Sequence, residues 1–275
     1  MCRLIGFVSP APSTLTAQVG AEQVARFRDL SCLHGDGWGS AWVEPGERDF
    51  ADNTIRSYRT TQRAPDDPIF TEVVDSHRSV ARLVHLRWAT EGLSITDQNT
   101  HPFVADGLAL AHNGSITPRS DLAEMLTPEM LQSLRGGTDS ERYLAVIRQE
   151  LATATDLPEA VARAVSRLRQ RFPAASLNAL LLSGTTFIAV HASAASPAPL
   201  EDMLASLPVG VDEAALPLEH LESYFLMRCR TGQDGSLVFS STGLQSDGWE
   251  PLPPESVTAI DLATMRTSVR ELVPR

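Results

Sequence analysis

The chain has 275 residues, of which 43% are hydrophobic and 21% are charged, and its formal net charge is −11. This length suits one large domain or two small ones, and the composition is that of a globular protein with a substantial core. The acidic balance argues against binding DNA or RNA through a basic face, and no apolar run is long enough to span a bilayer.

Cysteine usage and the N-terminus indicate the compartment. The three cysteines, Cys2, Cys32 and Cys229, are odd in number and widely spaced, which argues against a disulfide framework and against a cysteine-based zinc site. No basic segment followed by an apolar one opens the chain, so the sequence predicts no signal peptide. We therefore expect a cytoplasmic protein that needs no metal and no other cofactor.

The first predicted element is a short buried strand over residues 2–8, and it begins at a cysteine. If Met1 is removed, Cys2 carries both a thiol nucleophile and a free α-amine that can serve as its base. An α-amine ordinarily titrates at about 7.7–8.0, so near neutral pH it can accept the thiol proton. The alternative is a buried cysteine that opens a strand, since free cysteine is among the most buried residue types.

A helix and a glycine-rich turn follow this strand. The helix is predicted from a cap at Ser13 or Thr14 to about residue 33. After it, Gly35-Asp36-Gly37 predicts a tight turn that leads into a strand. A turn of this kind serves equally well as a structural corner or as the lining of a site.

Residues 79–89 predict a mostly apolar strand, although it carries Arg82, His85 and Arg87. An arginine inside such a strand is costly unless its charge is paired. Arg82 could point to solvent. Arg87 lies at the far end of the strand, where its guanidinium could hold a ligand carboxylate through two hydrogen bonds.

The middle of the chain contains two ambiguous polar segments. A strand is predicted at residues 107–112 and is followed by Asn113-Gly114, a dipeptide that is first of all a hairpin-turn signal. Thr138 or Asp139 can cap the helix that follows them, and capping alone would explain Asp139. Nothing local to these residues therefore requires a functional role.

The remaining elements are predicted from hydrophobic spacing and turn signals. Helices are expected at residues 67–77, at 120–134 with a break near 127–128, from the cap at 138 or 139 through 151, and at 158–171; strands are expected at 177–182, 186–191, 224–230, 237–241, 256–262 and 265–272; and loops at 45–66, with an edge strand, at 99–103 and at 192–220. Strands come first, two adjacent helices lie in the middle and strands follow. This order predicts an antiparallel α+β layered fold, not alternating βαβ units.

Six short motifs occur in a fixed order along the chain. They are an N-terminal Cys2, Gly35-Asp36-Gly37, Arg87-Trp88-Ala89-Thr90, His101-Pro102, His112-Asn113-Gly114 and Thr138-Asp139-Ser140-Glu141. This series resembles the class II glutamine amidotransferases, a family of N-terminal-nucleophile enzymes, over roughly residues 2–250. The resemblance implies an αββα sandwich, in which two antiparallel sheets pack face to face with helices outside. It also implies a single amidotransferase domain over residues 2–275.

The resemblance further implies which residues carry the chemistry. Cys2 would attack the γ-carboxamide of the substrate and form a thioester, with its own α-amine as the proton carrier. The side-chain amide of Asn113 and the backbone N–H of Gly114 would form the oxyanion hole. His101 and His112 are each as well explained as buried structural histidines as by a role in the site.

The head group of the substrate would be held by two opposite charges. Arg87 would bind the α-carboxylate and Asp139 the α-ammonium group, because a zwitterionic amino acid needs one cation and one anion. The residues implied to line or brace this pocket are Trp88, Thr90 and His101. Glu91 stands where many glutamine-using members carry a histidine, and a carboxylate there would repel an α-carboxylate unless it points away. The sequence therefore does not predict strict specificity for free glutamine.

No synthetase, isomerase or phosphoribosyl-binding domain is expected beside the glutaminase in a chain of this length. We therefore expect a stand-alone hydrolase that cleaves a γ-glutamyl amide, similar to members that remove a γ-glutamyl group from a small metabolite, such as the ergothioneine-pathway amidohydrolase. One alternative is a glutaminase subunit that passes ammonia to a separate synthase. Another is a non-catalytic amino-acid-binding module on the same fold.

Overall fold

The computed structural model describes residues 2–46, 52–89, 92–193, 196–205, 222–245 and 247–272. The strands are β1 (Arg3–Ser13), β2 (Trp38–Glu44), β3 (Thr54–Thr60), β4 (Ser79–Leu86), β5 (Phe103–Ala105), β6 (Leu108–Asn113), β7 (Asn178–Leu182), β8 (Thr186–His191), β9 (Met227–Thr231), β10 (Leu237–Ser241), β11 (Glu250–Pro251), β12 (Ser256–Asp261) and β13 (Thr267–Glu271). The helices are α1 (Leu15–Val19), α2 (Ala21–Asp29), α3 (Ile69–Thr71), α4 (Arg119–Glu124), α5 (Pro128–Ser133), α6 (Asp139–Leu151), α7 (Leu157–Arg171) and α8 (Leu200–Ala205).

The strands form two antiparallel sheets. The first has the order β11-β9-β10-β1-β4-β2-β3 and the second the order β13-β12-β8-β7-β6-β5. β1 and β4 are neighbours in the interior of the first sheet, and β6 lies next to the edge strand β5 of the second. The expected antiparallel α+β class is therefore confirmed.

Three hydrophobic clusters arrange the sheets and helices in four layers. Between the sheets, side chains of β1, β2 and β4 pack against those of β6, β7, β8 and β12. The outer face of the first sheet packs against α1 and α2, and the outer face of the second packs against α6 and α7. The result is the αββα sandwich that the family resemblance implies.

From Leu4 to Val8, β1 is buried on both faces, which explains the apolar sequence of this part of the strand. Side chains alternate along a strand, so Leu4 and Val8 face the second sheet while Ile5 and Phe7 face the helices. Cys2 precedes Leu4 by two residues and therefore belongs to the face between the sheets. The fold places the thiol inside the sandwich for this reason.

Most of the predicted elements are confirmed, including the helix break before α5, the helix α7, the hairpin of β7 and β8, and the pairs β9–β10 and β12–β13. The single helix predicted to about residue 33 is wrong. Thr14 does cap a helix, because its side chain accepts a hydrogen bond from the amide of Ala17. Gly20, with φ of 89°, then divides the segment into α1 and α2.

Other boundaries also differ from the prediction. β1 continues through Pro10 and Pro12 to Ser13, and its pairing with β4 shifts register between Val8 and Ser13. Irregular pairing of this kind tolerates prolines, which cannot donate to a ladder. β5 was not predicted. Asn113-Gly114 is no hairpin turn, since Asn113 ends β6 and a helix follows at α4.

Arg82 does not point to solvent, because it is fully buried in β4. Its guanidinium donates to Ser40 Oγ at 3.1 Å and to the carbonyl oxygen of His77, and it lies over the ring of Trp42 at 4.9 Å. These contacts offset part of the cost of burying the charge.

Much of the excursion predicted at 192–220 lies outside the described residues. None of the described helices is long and apolar enough to cross a membrane.

Candidate active site

Strand register brings Cys2 beside Arg87. Arg3 of β1 lies opposite Leu86 of β4, so the residues just outside this pair, Cys2 and Arg87, are neighbours at the ends of the two strands. On the other side of β4, the backbone of Arg87 bonds to the glycine-rich turn before β2. Its N–H donates to Gly37 O at 2.8 Å, and its carbonyl accepts from the N–H of Asp36 at 3.0 Å.

The backbone nitrogen of Cys2 links the two sheets. It donates to Oδ1 of Asn113 at 3.2 Å, and Asn113 lies at the end of β6 in the second sheet. The Cys2 thiol is buried and its Sγ lies 3.7 Å from the carbonyl oxygen of Trp88. The nitrogen in this bond becomes the α-amine once Met1 is removed.

This bond fixes the orientation of the Asn113 amide. Because the Cys2 nitrogen is a donor, the atom facing it must be Oδ1, and Nδ2 faces elsewhere. Asn113 Nδ2 is buried and has no hydrogen-bond partner among the described residues. An unpaired buried N–H is costly, so this donor is available for a ligand oxygen.

Burial raises the pKa of the Cys2 thiol above its ordinary value, while the charges of Arg87 and Arg3 act in the opposite direction. A thiol with a raised pKa is a weak nucleophile near neutral pH unless a base takes its proton. The site therefore needs a base close to Sγ, and an α-amine on Cys2 would meet that need.

Gly114 continues the wall next to Asn113. A Cβ atom at this position would lie 2.0 Å from the carbonyl oxygen of Ser176 and 2.6 Å from His112 Nε2. No side chain fits there, which keeps the backbone close to the pocket. Ser176 also holds the strand end, because its hydroxyl donates to the carbonyl oxygen of Asn113 at 2.8 Å.

Arg87 and Asp139 supply opposite charges to the same pocket. The Arg87 guanidinium is buried and donates to the carbonyl oxygens of Asp36 at 3.4 Å and of Ser94 at 3.2 Å. Asp139, the first residue of α6, accepts the N–H of Ile116 on Oδ2 at 2.7 Å. The helix cap is Thr138, whose side chain accepts from the N–H of Glu141, so capping does not explain Asp139.

These side chains surround a small cavity of about 20 Å³, which has room for about one water molecule. Its lining consists of Cys2, Arg87, Trp88, Ala89, Leu93, Asn99, His101, Gly114, Thr138, Asp139 and Ser140. Six of the predicted site residues thus line one cavity: Cys2, Gly114, Arg87, Trp88, His101 and Asp139. Asn113 does not line it but accepts a hydrogen bond from the Cys2 nitrogen. Thr90, predicted to line the pocket, and Glu91 lie outside the described residues. An amino acid can enter only if the pocket widens.

Three buried histidines belong to the site, and one of them, His101, lines the pocket. His112 donates from Nε2 to the carbonyl oxygen of Ser176 at 2.8 Å, because a carbonyl can only accept, and its Nδ1 bonds to Ser140 Oγ at 2.9 Å. His112 is therefore fully committed to structure. Burial lowers its pKa and holds the pKa values of His85 and His101 well below the ordinary value.

His101 and His85 stack, with ring centroids 3.9 Å apart and planes inclined by 31°. Donor atoms of Cys2, His85 and His101 all lie within 4.8 Å of one another, so this trio is where a metal ion could be held. Both ring nitrogens of His101 and Nδ1 of His85 are buried and have no hydrogen-bond partner among the described residues. The two tilted rings therefore pack against each other and still leave nitrogens available to a ligand.

The sequence did not predict individual roles for three residues at the site. Asp36 Oδ2 accepts the N–H of Ala89 at 2.7 Å and so braces the segment after β4. Asn99 donates to Ser94 O at 3.0 Å and accepts from the N–H of Gly137 at 2.9 Å, joining two walls of the pocket. The only signal for either was its place inside or beside a motif.

Arg3 is the third missed residue, and it is fully buried on the face of β1 opposite Cys2. Its guanidinium donates to Thr242 Oγ1 at 2.7 Å, to the carbonyl oxygen of Tyr224 at 3.1 Å and to His34 Nε2 at 3.2 Å. These partners lie far away in the sequence, so no local pattern could reveal them. The contacts anchor the N-terminal strand immediately after the nucleophile.

Comparison with known proteins places the chain in a family. The profile described as "Glutamine amidotransferases class-II" matches residues 1–271. The glutamine–fructose-6-phosphate aminotransferase of Xanthomonas campestris is 33% identical over 127 residues, which cover 40% of this chain and 20% of that protein. The enzyme of the same name from Idiomarina loihiensis is 36% identical over 121 residues, which cover 43% of this chain and 19% of that protein. The chain thus spans about a fifth of these relatives.

Two solved structures share the fold. A glutamine aminotransferase class-II domain protein from Silicibacter pomeroyi superposes with a TM-score of 0.63 at 20% identity, covering 99% of this chain and 100% of that one. The glutamine phosphoribosylpyrophosphate amidotransferase of B. subtilis also has a TM-score of 0.63, at 14% identity, over 100% of this chain and 50% of that one. At these identities the likeness concerns the fold alone.

Proposed function

The chain belongs to the class II glutamine amidotransferases, and we propose that within this family it is a stand-alone hydrolase that cleaves a γ-glutamyl amide through a thioester on Cys2. The observation that carries this proposal is the link between Cys2 and Asn113. One amide group accepts a hydrogen bond from the nitrogen of the nucleophile and leaves its own N–H group unpaired among the described residues.

The proposed first step begins with removal of Met1. The neutral α-amine of Cys2 can still donate one hydrogen to Asn113 Oδ1 and uses its lone pair to take the thiol proton. Sγ then attacks the γ-carbonyl carbon of the substrate, and the carbonyl oxygen becomes an oxyanion. Asn113 Nδ2 and the N–H of Gly114 are the donors proposed to stabilise it.

Collapse of this intermediate completes the proposed reaction. The α-ammonium of Cys2 returns its proton to the leaving nitrogen, which departs as ammonia or an amine, and a thioester joins the carbonyl carbon of the former carboxamide to Sγ. Water attacks the thioester, with the α-amine again acting as base, and glutamate leaves as the thiol is restored. No cofactor takes part in either half of the cycle.

We propose that the amino-acid head of the substrate lies between Arg87 and Asp139. The guanidinium of Arg87 would exchange its carbonyl partners for the α-carboxylate, a stronger, charge-assisted acceptor. Asp139 retains the N–H of Ile116 on Oδ2 and would accept the α-ammonium group on its other oxygen. Trp88, Thr90 and His101 are proposed to line the pocket. The head group, not the leaving amine, is what these residues recognise.

A second candidate is a glutaminase subunit that delivers ammonia to a separate synthase. It is favoured by the relatives named above, which are aminotransferases of which this chain spans about a fifth. The two candidates differ in what the isolated protein does. A hydrolase releases glutamate without any partner, whereas a subunit of this kind needs its synthase for full rate.

Glutamate release tests the proposal. Purified protein from which Met1 has been removed is incubated with glutamine and with a panel of γ-glutamyl amides of small amines, and glutamate is measured. We expect steady turnover of at least one member of the panel, loss of turnover to background in Cys2→Ala, and an unchanged rate in the matched control Cys32→Ala, which alters an exposed thiol. Equal rates in wild type and Cys2→Ala would exclude Cys2 as the nucleophile.

A further inference from the structure

A second and larger cavity lies where the two sheets end. β3 is an edge strand of the first sheet and β5 an edge strand of the second, and α6 packs beside β5. The cavity between these elements has a volume of about 620 Å³, within the usual range for small-molecule sites. We call it the edge groove, defined by the lining residues Arg59, Phe103, Ser133, Arg135, Leu144 and Arg148. None of these six lines the cavity that contains Cys2.

Three guanidinium groups line the edge groove, and two of them have no carboxylate partner. Arg148 is paired with Asp106, with 2.7 Å between Nη2 and Oδ2, and also donates to Ser133 Oγ. Arg59 is half-buried and donates only to backbone, to the carbonyl oxygens of Thr100 and Pro102, each at 3.3 Å. Within the described part of the chain, neither Arg59 nor Arg135 forms an ion pair.

Two carboxylates, those of Asp106 and Glu141, also line the edge groove, and both already have partners: Asp106 pairs with Arg148. Both oxygens of Glu141 accept backbone hydrogen bonds at 2.8 Å, one from the N–H of Arg135 and the other from that of Gly136. Asp97 and Glu141 attract Arg59 from a distance, yet burial lowers the pKa of Arg59 below its ordinary value. A partly desolvated guanidinium without a direct carboxylate partner is a favourable site for an anion.

Part of the remaining lining is apolar. Val104 is 39% exposed and Leu134 is half-buried, so both present apolar surface to the groove, with Phe103 and Leu144 buried in the wall beside them. The groove therefore offers two cationic groups at a surface that can also cover an apolar body. The chain as a whole is acidic, with a net charge of −11, whereas the groove combines two arginines that have no carboxylate partner among the described residues with apolar surface.

We propose that the edge groove binds a small amphipathic anion, a carboxylate or phosphate ester carried on an apolar body, with Arg59 and Arg135 as its cationic contacts. The anionic group would displace the two carbonyl oxygens from Arg59, because an ionised acceptor forms the stronger bond. The apolar body would lie against Val104 and Leu134. The groove would thus be a second ligand site, separate from the nucleophile.

The edge groove and the catalytic pocket share two backbone segments. Thr100 and Pro102, the carbonyl partners of Arg59, flank His101, which lines the pocket. Glu141, which holds the backbone of Arg135, is two residues from Asp139 on the same helix. A ligand that releases Arg59 from its carbonyl partners would free the segment around His101. Occupation of the groove would therefore change the affinity of the pocket for its amino acid, and this step rests on the proposed function. The coupling would be reciprocal, so an amino acid in the pocket would change the affinity of the groove by the same factor.

Direct binding tests the site. Binding of phenyl phosphate to the wild type and to Cys2→Ala is measured by isothermal titration calorimetry. Because Cys2→Ala lacks the proposed nucleophile, binding to this variant is measured without hydrolysis. We expect saturable binding of one equivalent to both proteins, weakened at least about tenfold by Arg59→Gln or Arg135→Gln, since each change removes a charge-assisted bond. Arg56→Gln is the matched control, because Arg56 lies on the opposite face of β3 and pairs with Glu44.

Two comparisons make the result decisive. Inorganic phosphate should bind at least about tenfold more weakly than phenyl phosphate, because it lacks the apolar body. Absence of saturable binding, equal affinity for the two phosphates, or equal loss in Arg56→Gln would overturn the proposal. Thermal unfolding of each variant confirms that it is folded, and Arg59→Lys, which keeps the charge, should retain part of the affinity.

The coupling is measured through glutamine affinity in Cys2→Ala, with and without phenyl phosphate. We expect the dissociation constant for glutamine to shift at saturating phenyl phosphate, and the shift to vanish in Arg59→Gln. An unchanged constant would overturn the coupling. A protein that binds phenyl phosphate as described but never binds glutamine would contradict the proposed function and leave the groove assignment standing.

Discussion

Asn113 and Asn178 lie opposite each other in β6 and β7, and their amides are used differently. Asn178 is satisfied on both atoms, since Nδ2 donates to Phe225 O and Oδ1 accepts the N–H of Ala192. Asn113 is satisfied only on Oδ1, by the Cys2 nitrogen. The two buried asparagines therefore differ in role. The amide of Asn178 is structural, whereas that of Asn113 is available to a substrate.

Alanine substitutions at these two positions should affect different quantities, kcat for Asn113 and stability for Asn178. Asn113→Ala removes the proposed oxyanion donor, so we expect kcat to fall about 10²–10³-fold with little change in KM. Asn178→Ala leaves a buried carbonyl and a buried N–H unpaired, so we expect a loss of about 1–3 kcal/mol in the free energy of unfolding and a nearly unchanged kcat. Steady-state kinetics and urea unfolding of both variants distinguish the roles. Equal losses of kcat would show that Asn113 acts only through packing.

Single residues of the site were ambiguous in the sequence because each had an adequate local explanation. Asn113-Gly114 matched a hairpin turn and Asp139 matched a helix cap, yet Asn113 ends a strand and Thr138 performs the capping. Only the order of six motifs pointed to a common site. Asn99 and Arg3 were beyond prediction, because their partners lie tens to hundreds of residues away and are brought close by the fold.

The end of β6 has to approach the segment around Ser176 closely, and Gly114 permits this. The carbonyl oxygen of Ser176 would lie 2.0 Å from a Cβ at Gly114, a distance that only backbone movement can relieve. Gly137, on the opposite wall segment, has nothing within 4 Å of the corresponding position. Gly114 therefore makes room for the backbone of Ser176, whereas Gly137 makes room for no neighbouring atom.

We expect Gly114→Ala to lower the free energy of unfolding by about 3 kcal/mol or more, since overpacking against backbone displaces the strand end. The matched variant Gly137→Ala should change it by less than about 1 kcal/mol. Urea unfolding followed by circular dichroism measures both. A stable Gly114→Ala protein would mean that the segment around Ser176 can move away without cost.

Strand and helix order was predictable from hydrophobic spacing, but boundaries depended on details outside the pattern. The helix predicted after Thr14 was divided because Gly20 adopts a positive φ, which the apolar spacing of the segment does not reveal. β5 has only three residues, too few to show an alternating pattern. Arg82 was expected at the surface because its buried partners, Ser40 and His77, come from other elements.

At the scale of the whole molecule, burial keeps several histidines neutral inside the sandwich. The pKa values of His85 and His101 are held well below the ordinary value by burial, and that of His112 is also lowered. In the unfolded chain these groups titrate near 6.5. The unfolded state therefore binds more protons than the folded state below about pH 6.5, and acid favours unfolding.

Stability should consequently fall as the pH drops below about 6.5, by up to about 1.4 kcal/mol per pH unit for each neutral buried histidine. Above that pH both states are deprotonated and the contribution disappears. His101→Gln removes one such group, so the slope of unfolding free energy against pH should decrease by the equivalent of about half a proton at about pH 6.5, rising to about 0.9 proton at about pH 5.5. Urea unfolding at several pH values measures the slope. Identical slopes in the wild type and the variant would contradict the assignment.

The layered architecture explains why the site lies where it does. Residue alternation along β1 directs Cys2 between the sheets, and the second sheet supplies Asn113 to meet it. The αββα arrangement followed from the family resemblance, whereas the sequence pattern by itself predicted only an antiparallel α+β fold. Thr90 and Glu91, which bear on substrate choice, lie outside the described residues, so the preference for glutamine or another γ-glutamyl amide stays a prediction.

The central claim is that Cys2, freed from Met1, is the nucleophile for γ-glutamyl substrates, and peptide mass mapping after reaction with a diazo-ketone analogue of norleucine tests it most directly. This reagent mimics glutamine and alkylates a thiol that attacks it. We predict one adduct per chain, located on an N-terminal peptide that begins at Cys2, with Cys32 and Cys229 unmodified. Retention of Met1 on the reacted protein, an adduct on Cys32 or Cys229, or no adduct at all would contradict the account.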